Sequence, residues 1–187
     1  MDLFFNQVSN LINAREIAPG IASYVNDQGQ ADIYGGEAGV EVLAASWLTG
    51  FANYAYEQIG QSFTDTTRRG APRSKVNAGV RGEWDNGLNG EVAYHYVSGA
   101  TYPIAGSFTT FSQFPPGFTV PDTRVDSYNL LNLRVAYKFW HEKAEAGYLR
   151  DAEVAITAFN TLNDTHKEHP LGDTIGSRVM GWITIRY

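Results

Sequence analysis

A chain of 187 residues with a formal charge of −6 is long enough for one domain with a sizeable interior, and it lacks the basic surface that nucleic acid demands of a partner. It holds no cysteine, which excludes disulfides, thiolate metal sites and cysteine nucleophiles. No apolar run approaches the ~20 residues of a membrane helix, while 11 Tyr, 10 Phe and 19 Gly favour β-structure with aromatic girdles.

Met1-Asp2-Leu3-Phe4-Phe5 leads directly into strand-like sequence, with no basic segment, apolar stretch or cleavage site of a signal peptide. Asp2 to Ile12 mixes Leu3, Phe5, Val8, Leu11 and Ile12 with amides and reads as a strand with untidy faces. Residues 13–30 are polar, hold Pro19, Gly20 and Asn26-Asp27-Gln28-Gly29, and read as a long loop. In Ala31 to Ala44, Ala38, Val40 and Val42 share one face while Glu37, Gly39 and Glu41 share the other. Two carboxylates on one strand face invite a general acid/base reading, but nothing catalytic accompanies them, and a water-exposed face is the preferred one.

Ala45-Ser46 form a very short turn. Leu48, Gly50, Ala52, Tyr54 and Tyr56 then alternate with Thr49, Phe51, Asn53 and Ala55, and residues 58–72 form a second long polar loop. Val76, Ala78, Val80 and Trp84 alternate with Asn77, Gly79, Arg81 and Glu83 up to the tight turn Asp85-Asn86-Gly87, whose Asn-Gly suits a positive φ. Leu88, Gly90, Val92, Tyr94 and Tyr96 follow, interleaved with Asn89, Glu91, Ala93 and His95. Residues 98–126 make the longest break, with several prolines and phenylalanines.

Leu131, Leu133, Val135, Tyr137 and Phe139 alternate with Asn132, Arg134, Ala136 and Lys138, and His141 to Arg150 reads as a charged connection. Val154, Ile156 and Ala158 alternate with Glu153, Ala155 and Thr157, and residues 160–174 form a polar loop. The last strand sets Val179, Gly181, Ile183, Ile185 and Tyr187 against Met180, Trp182, Thr184 and Arg186.

These are eight strands in a meander whose connections alternate between short and long. Such sorting belongs to outer-membrane barrels, with short turns on one side and long loops on the other. The expected fold class is therefore all-β: an antiparallel up-and-down transmembrane barrel segment of about eight strands, with loops 13–30, 58–72, 98–126 and 160–174 outside. In this register Arg81, Arg134, Lys138 and Arg186 face the lumen and pair with Glu83, Glu91 and Glu153 across strands. No Ser-His-Asp set, HExxH, P-loop or nucleotide-binding glycine pattern appears, so neither an enzyme nor a bound cofactor is expected.

Several stretches carry a family resemblance. Ala31-Asp32-Ile33-Tyr34-Gly35-Gly36-Glu37-Ala38-Gly39-Val40-Glu41-Val42 is similar to the "GvE" strand of TonB-dependent outer-membrane receptors, and Trp47 to Tyr56 follows it as in that family. Gly70-Ala71-Pro72-Arg73-Ser74-Lys75-Val76-Asn77 resembles the family's Pro-x-x-x-x-Asn lead into the next strand. Asn132 to Phe139, the stretch Ala158-Phe159-Asn160-Thr161-Leu162-Asn163-Asp164 near the family's "NLFD", and the aromatic terminus complete the series. The order and spacing of these motifs carry the resemblance more than any one of them does.

The resemblance implies that residues 1–187 are the C-terminal portion of a receptor barrel, without the signal peptide and plug domain with which the family begins. It implies a place in the cell outer membrane, among lipid and lipopolysaccharide, and uptake of a scarce ligand such as a ferric siderophore or other iron chelate. TonB would act only through the missing plug, and the lumen cations Arg81, Arg134, Lys138 and Arg186 would pair either with that plug or across strands. Candidate ligand-binding residues lie in the longest outer loop: Tyr102, Phe108, Phe111, Phe114 and Phe118. Packing of that loop on itself, or insertion into lipopolysaccharide, is the competing and preferred reading of these aromatics. His166 and His169, with Asp164 and Glu168 nearby, are weak metal candidates, with plain solvation preferred. Two alternatives from other classes stay open. One is a complete small eight-stranded outer-membrane barrel with a structural or adhesive role, and the other is a soluble β-sheet binding protein.

Overall fold

The computed structural model describes residues 1–19, 21–62, 70–102, 122–143 and 149–187. Its framework is one antiparallel sheet of eight strands. In chain order these are β1 (Asp2–Ser9), β4 (Gln30–Ala45), β5 (Leu48–Gln61), β6 (Ser74–Glu83), β7 (Leu88–Val97), β10 (Tyr128–Lys143), β11 (Leu149–Phe159) and β12 (Arg178–Arg186). Each pairs with its neighbour in the chain order of this series, β1-β4-β5-β6-β7-β10-β11-β12, so the expected meander is what forms. The sheet does not close: β1 pairs with β4 and β12 with β11, and these two outer strands do not pair with each other.

Burial is inverted relative to a water-soluble sheet. The large apolar side chains of the odd face of β10 and β12 and the even face of β11 stand in the open: Val135 is 60% exposed, Ile156 59% and Ile183 68%. On the opposite face the small residues are covered, with Ala136 at 2% and Ala155 at 1%. Among the described residues no large side chain is fully buried. A sheet that hides alanines behind its polar residues and exposes its valines and isoleucines is solvated by hydrocarbon on one side and water on the other. The eight strands are therefore a wall with a lipid face and a lumen face.

The short turns share one edge of this wall. Glu83 donates its N–H to the Trp47 carbonyl, which ties the β4–β5 turn to the end of β6. Trp47 and Trp84 stack there with ring centroids 5.4 Å apart. In the β6–β7 turn, Gly87 has φ +87°. Its carbonyl accepts the Lys138 N–H at 2.9 Å, and a side chain at Gly87 would run into the Lys138 carbonyl oxygen. Glycine is needed there for both reasons. At the other edge, tyrosine hydroxyls are anchored: Tyr54 to Ser74 Oγ at 3.1 Å, and Tyr94 to Asn129 Oδ1 at 2.6 Å. Stacked tryptophans at one rim and anchored tyrosines at the other suit a membrane–water boundary.

The structure departs from the sequence reading in five places, one of them β5, which runs on to Gln61 inside the supposed loop 58–72. The first strand ends at Ser9, because Asn10 turns to φ 56°. The supposed loop 13–30 holds a hairpin, β2 (Ile12–Ala18) and β3 (Ile21–Asn26), paired from Ile12↔Asn26 inward. Its sequence lacks the apolar alternation that a strand with one dry face would impose. The break 98–126 opens and closes with a small paired element, β8 (Ala100–Thr101) with β9 (Arg124–Val125). Finally, β10 runs through the supposed charged connection as far as Lys143, with a bulge between Lys138 and Trp140. The extra residue, Phe139, shifts the parity, so Trp140 falls opposite Ala152 and continues the lipid face.

Candidate functional site

Cross-strand register builds the lumen face row by row. One row runs Arg81, Glu91, Arg134, Thr157 from β6 to β11. Arg81 Nη2 lies 3.0 Å from Glu91 Oε2, and the Arg81 guanidinium sits 5.8 Å over the Phe51 ring. Arg134 donates through Nη2 to Glu153 Oε1 at 2.5 Å and through Nη1 to Asn89 Oδ1. Asn89 Nδ2 donates in turn to Glu153 Oε2 at 3.0 Å. The three side chains form a closed, partly buried network, with Glu153 12% exposed. Toward the short-turn edge, Arg186 pairs with Asp151, at 2.8 Å between Nη2 and Oδ2.

The expected lumen cations are thus on the lumen face, with two partners as expected and one changed. Arg81 takes Glu91 and Arg134 takes Glu153, but Arg186 takes Asp151, which faces it directly in the β11–β12 register. Among the described residues Glu83 and Lys138 make no ion pair.

The next row toward the long loops is different in kind. Gly79 and Ala93 face each other there, flanked by Phe51 on β5 and by Asn132 on β10, which falls opposite Ala93. Ala93 is buried, and the Phe51 ring lies over Gly79, where a methyl would approach its Cζ to 2.7 Å. Ala93, Phe51 and Asn132 line a hollow of about 500 Å³ whose rim includes Phe159 and Trp182. A third row, Asn53, Asn77 and His95 in direct register, closes it on the far side. Two atoms buried beneath its border, Asn77 Oδ1 and Thr157 Oγ1, have no hydrogen-bond partner among the described residues. Sequence alternation put these side chains on the wet face; only register shows that the small ones coincide.

At the long-loop edge a second, smaller cleft of about 320 Å³ lies between Lys75, Tyr102, Tyr128 and Glu168. Of the outer-loop aromatics proposed from sequence, Tyr102 is here; Phe108, Phe111, Phe114 and Phe118 lie outside the described residues. The Tyr102 hydroxyl donates to the Glu168 carbonyl at 3.0 Å, and its ring meets His169 edge-on at 5.0 Å. It therefore joins the longest outer loop to the last one.

His166 and His169 do not converge. His166 is buried, with its ring stacked on Tyr128 at 3.9 Å. Its Nδ1 lies 2.8 Å from the Asp164 carbonyl oxygen and so donates to it. Its Nε2 lies 3.8 Å from Glu168 Oε1, beyond hydrogen-bond reach. His169 Nδ1 accepts the Leu171 N–H. The Asp164 carboxylate accepts the Asn129 N–H at 2.8 Å, and Asn160 Oδ1 accepts the Asp164 N–H at 3.1 Å. Among the described residues no three His, Cys, Asp or Glu side chains group as metal ligands. The cluster holds the last outer loop in shape.

The family model "TonB dependent receptor-like, beta-barrel" matches residues 1–160. No curated protein and no solved structure matches the chain. The matched residues run from β1 to the end of β11 and include the Arg134 network and, except for Trp182, the lining of the hollow beside it. By this match, and by a sheet whose oily side faces outward, the chain belongs to the TonB-dependent receptor β-barrel family.

Proposed function

We propose that this chain is the C-terminal part of the barrel of an outer-membrane active-transport receptor. The receptor takes up a scarce ligand such as a ferric siderophore, and TonB drives it through a plug domain that is not within these residues. The observation that supports this most is the inverted burial, because a wall with a lipid face and a polar, ion-paired lumen face serves a path for polar cargo. Ligand capture falls to the long-loop edge, where Tyr102, Tyr128, Lys75 and Glu168 surround the smaller cleft, with Phe108, Phe111, Phe114 and Phe118 on the same loop as Tyr102.

The test is expression with an outer-membrane leader, followed by membrane fractionation and uptake of a labelled ferric chelate by the parent receptor in cells with and without TonB. Recovery in the outer-membrane fraction with heat-modifiable gel mobility, and uptake that stops without TonB, is the expected result. A chain that stays in solution without detergent, or uptake indifferent to TonB, would overturn the reading.

A further inference from the structure

We propose that His166 and Glu168 form an acid-closed latch that fastens the last outer loop to the stem of the longest one. The proposal takes from the reading above only that these loops stand outside the membrane, where the medium sets their pH directly.

The local bonds fix which ring nitrogen carries hydrogen. The Asp164 carbonyl oxygen, 2.8 Å from His166 Nδ1, can only accept, so Nδ1 keeps its hydrogen whether the ring is neutral or charged. The neutral ring then leaves Nε2 as a bare acceptor, buried and without a hydrogen-bond partner among the described residues. The Glu168 carboxylate lies 3.8 Å from it, and two acceptors do not bond. A proton on Nε2 turns this contact into a charge-assisted hydrogen bond, reached by a movement of ~1 Å. Glu168 is free to make that movement, since its side chain is 59% exposed, while the His166 side chain is 5% exposed and held.

The surroundings suit an imidazolium. Tyr128 on β10 stacks on the ring at 3.9 Å, and a π face attracts a cation. The Asp164 carboxylate is already engaged by the Asn129 N–H at 2.8 Å. Lys167 and His169 on the same loop are exposed, and His169 Nδ1 accepts the Leu171 N–H. Lys75 of β6 lines the cleft with Tyr102, Tyr128 and Glu168, and its charge offers Glu168 another partner while His166 is neutral.

Residue 168 also holds the second loop. Its carbonyl accepts the Tyr102 hydroxyl at 3.0 Å. Tyr102 in turn donates its N–H to the Thr123 carbonyl at 2.8 Å, beside the β8–β9 pair. Pinning the Glu168 side chain therefore pins the acceptor that Tyr102 uses. In acid the two loops are fastened; in mild alkali they part more readily.

The experiment uses the full chain folded in detergent micelles, at about pH 8 and about pH 5.5, a range in which histidine changes charge. NMR of the ring nitrogens reads the tautomer of His166. Amide hydrogen exchange, corrected for its intrinsic pH dependence, reads protection at residues 164–172 and at Tyr102. The Nδ1–H tautomer is expected at the higher pH, with protection at both places rising by about tenfold in acid. His166→Phe keeps a ring against Tyr128 and should abolish the rise. Glu168→Gln keeps the backbone carbonyl and should at least halve it, while His169→Gln should leave it whole. Tyr102→Phe should keep the rise in the last loop and lose it at residue 102. Heat-modifiable gel mobility checks that each variant folds. An Nε2–H tautomer in the neutral ring, equal protection at both pH values, or a full rise in His166→Phe or Glu168→Gln would overturn the latch. So would a rise at residue 102 that survives Tyr102→Phe. No uptake is measured, so failure of the transport reading alone leaves these results intact.

Discussion

Arg134 and Glu153 meet at 2.5 Å across the β10–β11 pair, and Asn89 on β7 completes the contact by bonding both. One arginine thereby connects three strands of the wall on its lumen side. Glu153 is 12% exposed, so removing its partner strands a carboxylate in a poorly hydrated place. Arg134→Met and Glu153→Leu should each destabilise the folded sheet by ~2–4 kcal/mol. The double variant should lose less than the sum, because neither charge is then left alone. Urea unfolding in lipid vesicles, run as a double-mutant cycle, measures the coupling; additive losses would show that the pair is not coupled.

Val135 is the neighbour of Arg134 on the opposite face and is 60% exposed. Val135→Arg should cost ~2–4 kcal/mol, if it lies near the bilayer midplane, by placing a cation in hydrocarbon. In detergent-free water the same substitution should cost almost nothing, since the site is already open. Assembly yield in vesicles against solubility of the unfolded chain in urea separates the two. Equal behaviour of Val135→Arg and Val135→Ala in vesicles would reverse the facing of β10.

Gly87→Ala tests the β6–β7 turn. The position combines φ +87° with a carbonyl of β10 where a methyl would sit. A loss of ~1–3 kcal/mol is expected, seen as a lower temperature for the shift in gel mobility. Asn86→Ala should cost less, since it removes only the side-chain bond to the Leu88 N–H at 3.0 Å.

Asp164→Ala should loosen the last outer loop without harming the wall. The carboxylate receives the Asn129 N–H at the start of β10, and the loss of that charge-assisted bond is worth ~1–3 kcal/mol locally. Limited proteolysis should cut within 160–177 faster than in the parent, while strand content by circular dichroism is unchanged. Equal cleavage rates would mean that the Tyr128–His166 stack holds the loop by itself.

Period-two alternation was enough to read the eight wall strands and the two faces of Val135 and Arg134, because each strand lies between two solvents and every second residue reports one of them. It failed where that contrast is missing. The β2–β3 hairpin carries no sustained alternation of apolar and polar residues, so residues 13–26 looked like loop. The bulge at Phe139 shifts the count by one, so the tail of β10 read as a charged connection. The hollow was hidden for another reason. Ala93 is unremarkable in its own strand, and only the register from β5 to β11 sets it among Phe51, Asn77, Asn132 and Thr157. Arg186 likewise found Asp151, outside the three carboxylates expected, because register sets the two directly opposite each other.

No large side chain among the described residues is sealed away from its surroundings. A protein built so has no private interior to retreat into when lipid is removed. The free energy that holds it together is largely one of transfer, from water to oil, and belongs as much to the bilayer as to the chain. A melting temperature for this sheet is then a property of a protein and an amphiphile together, and changing acyl-chain length should move it as surely as changing a residue.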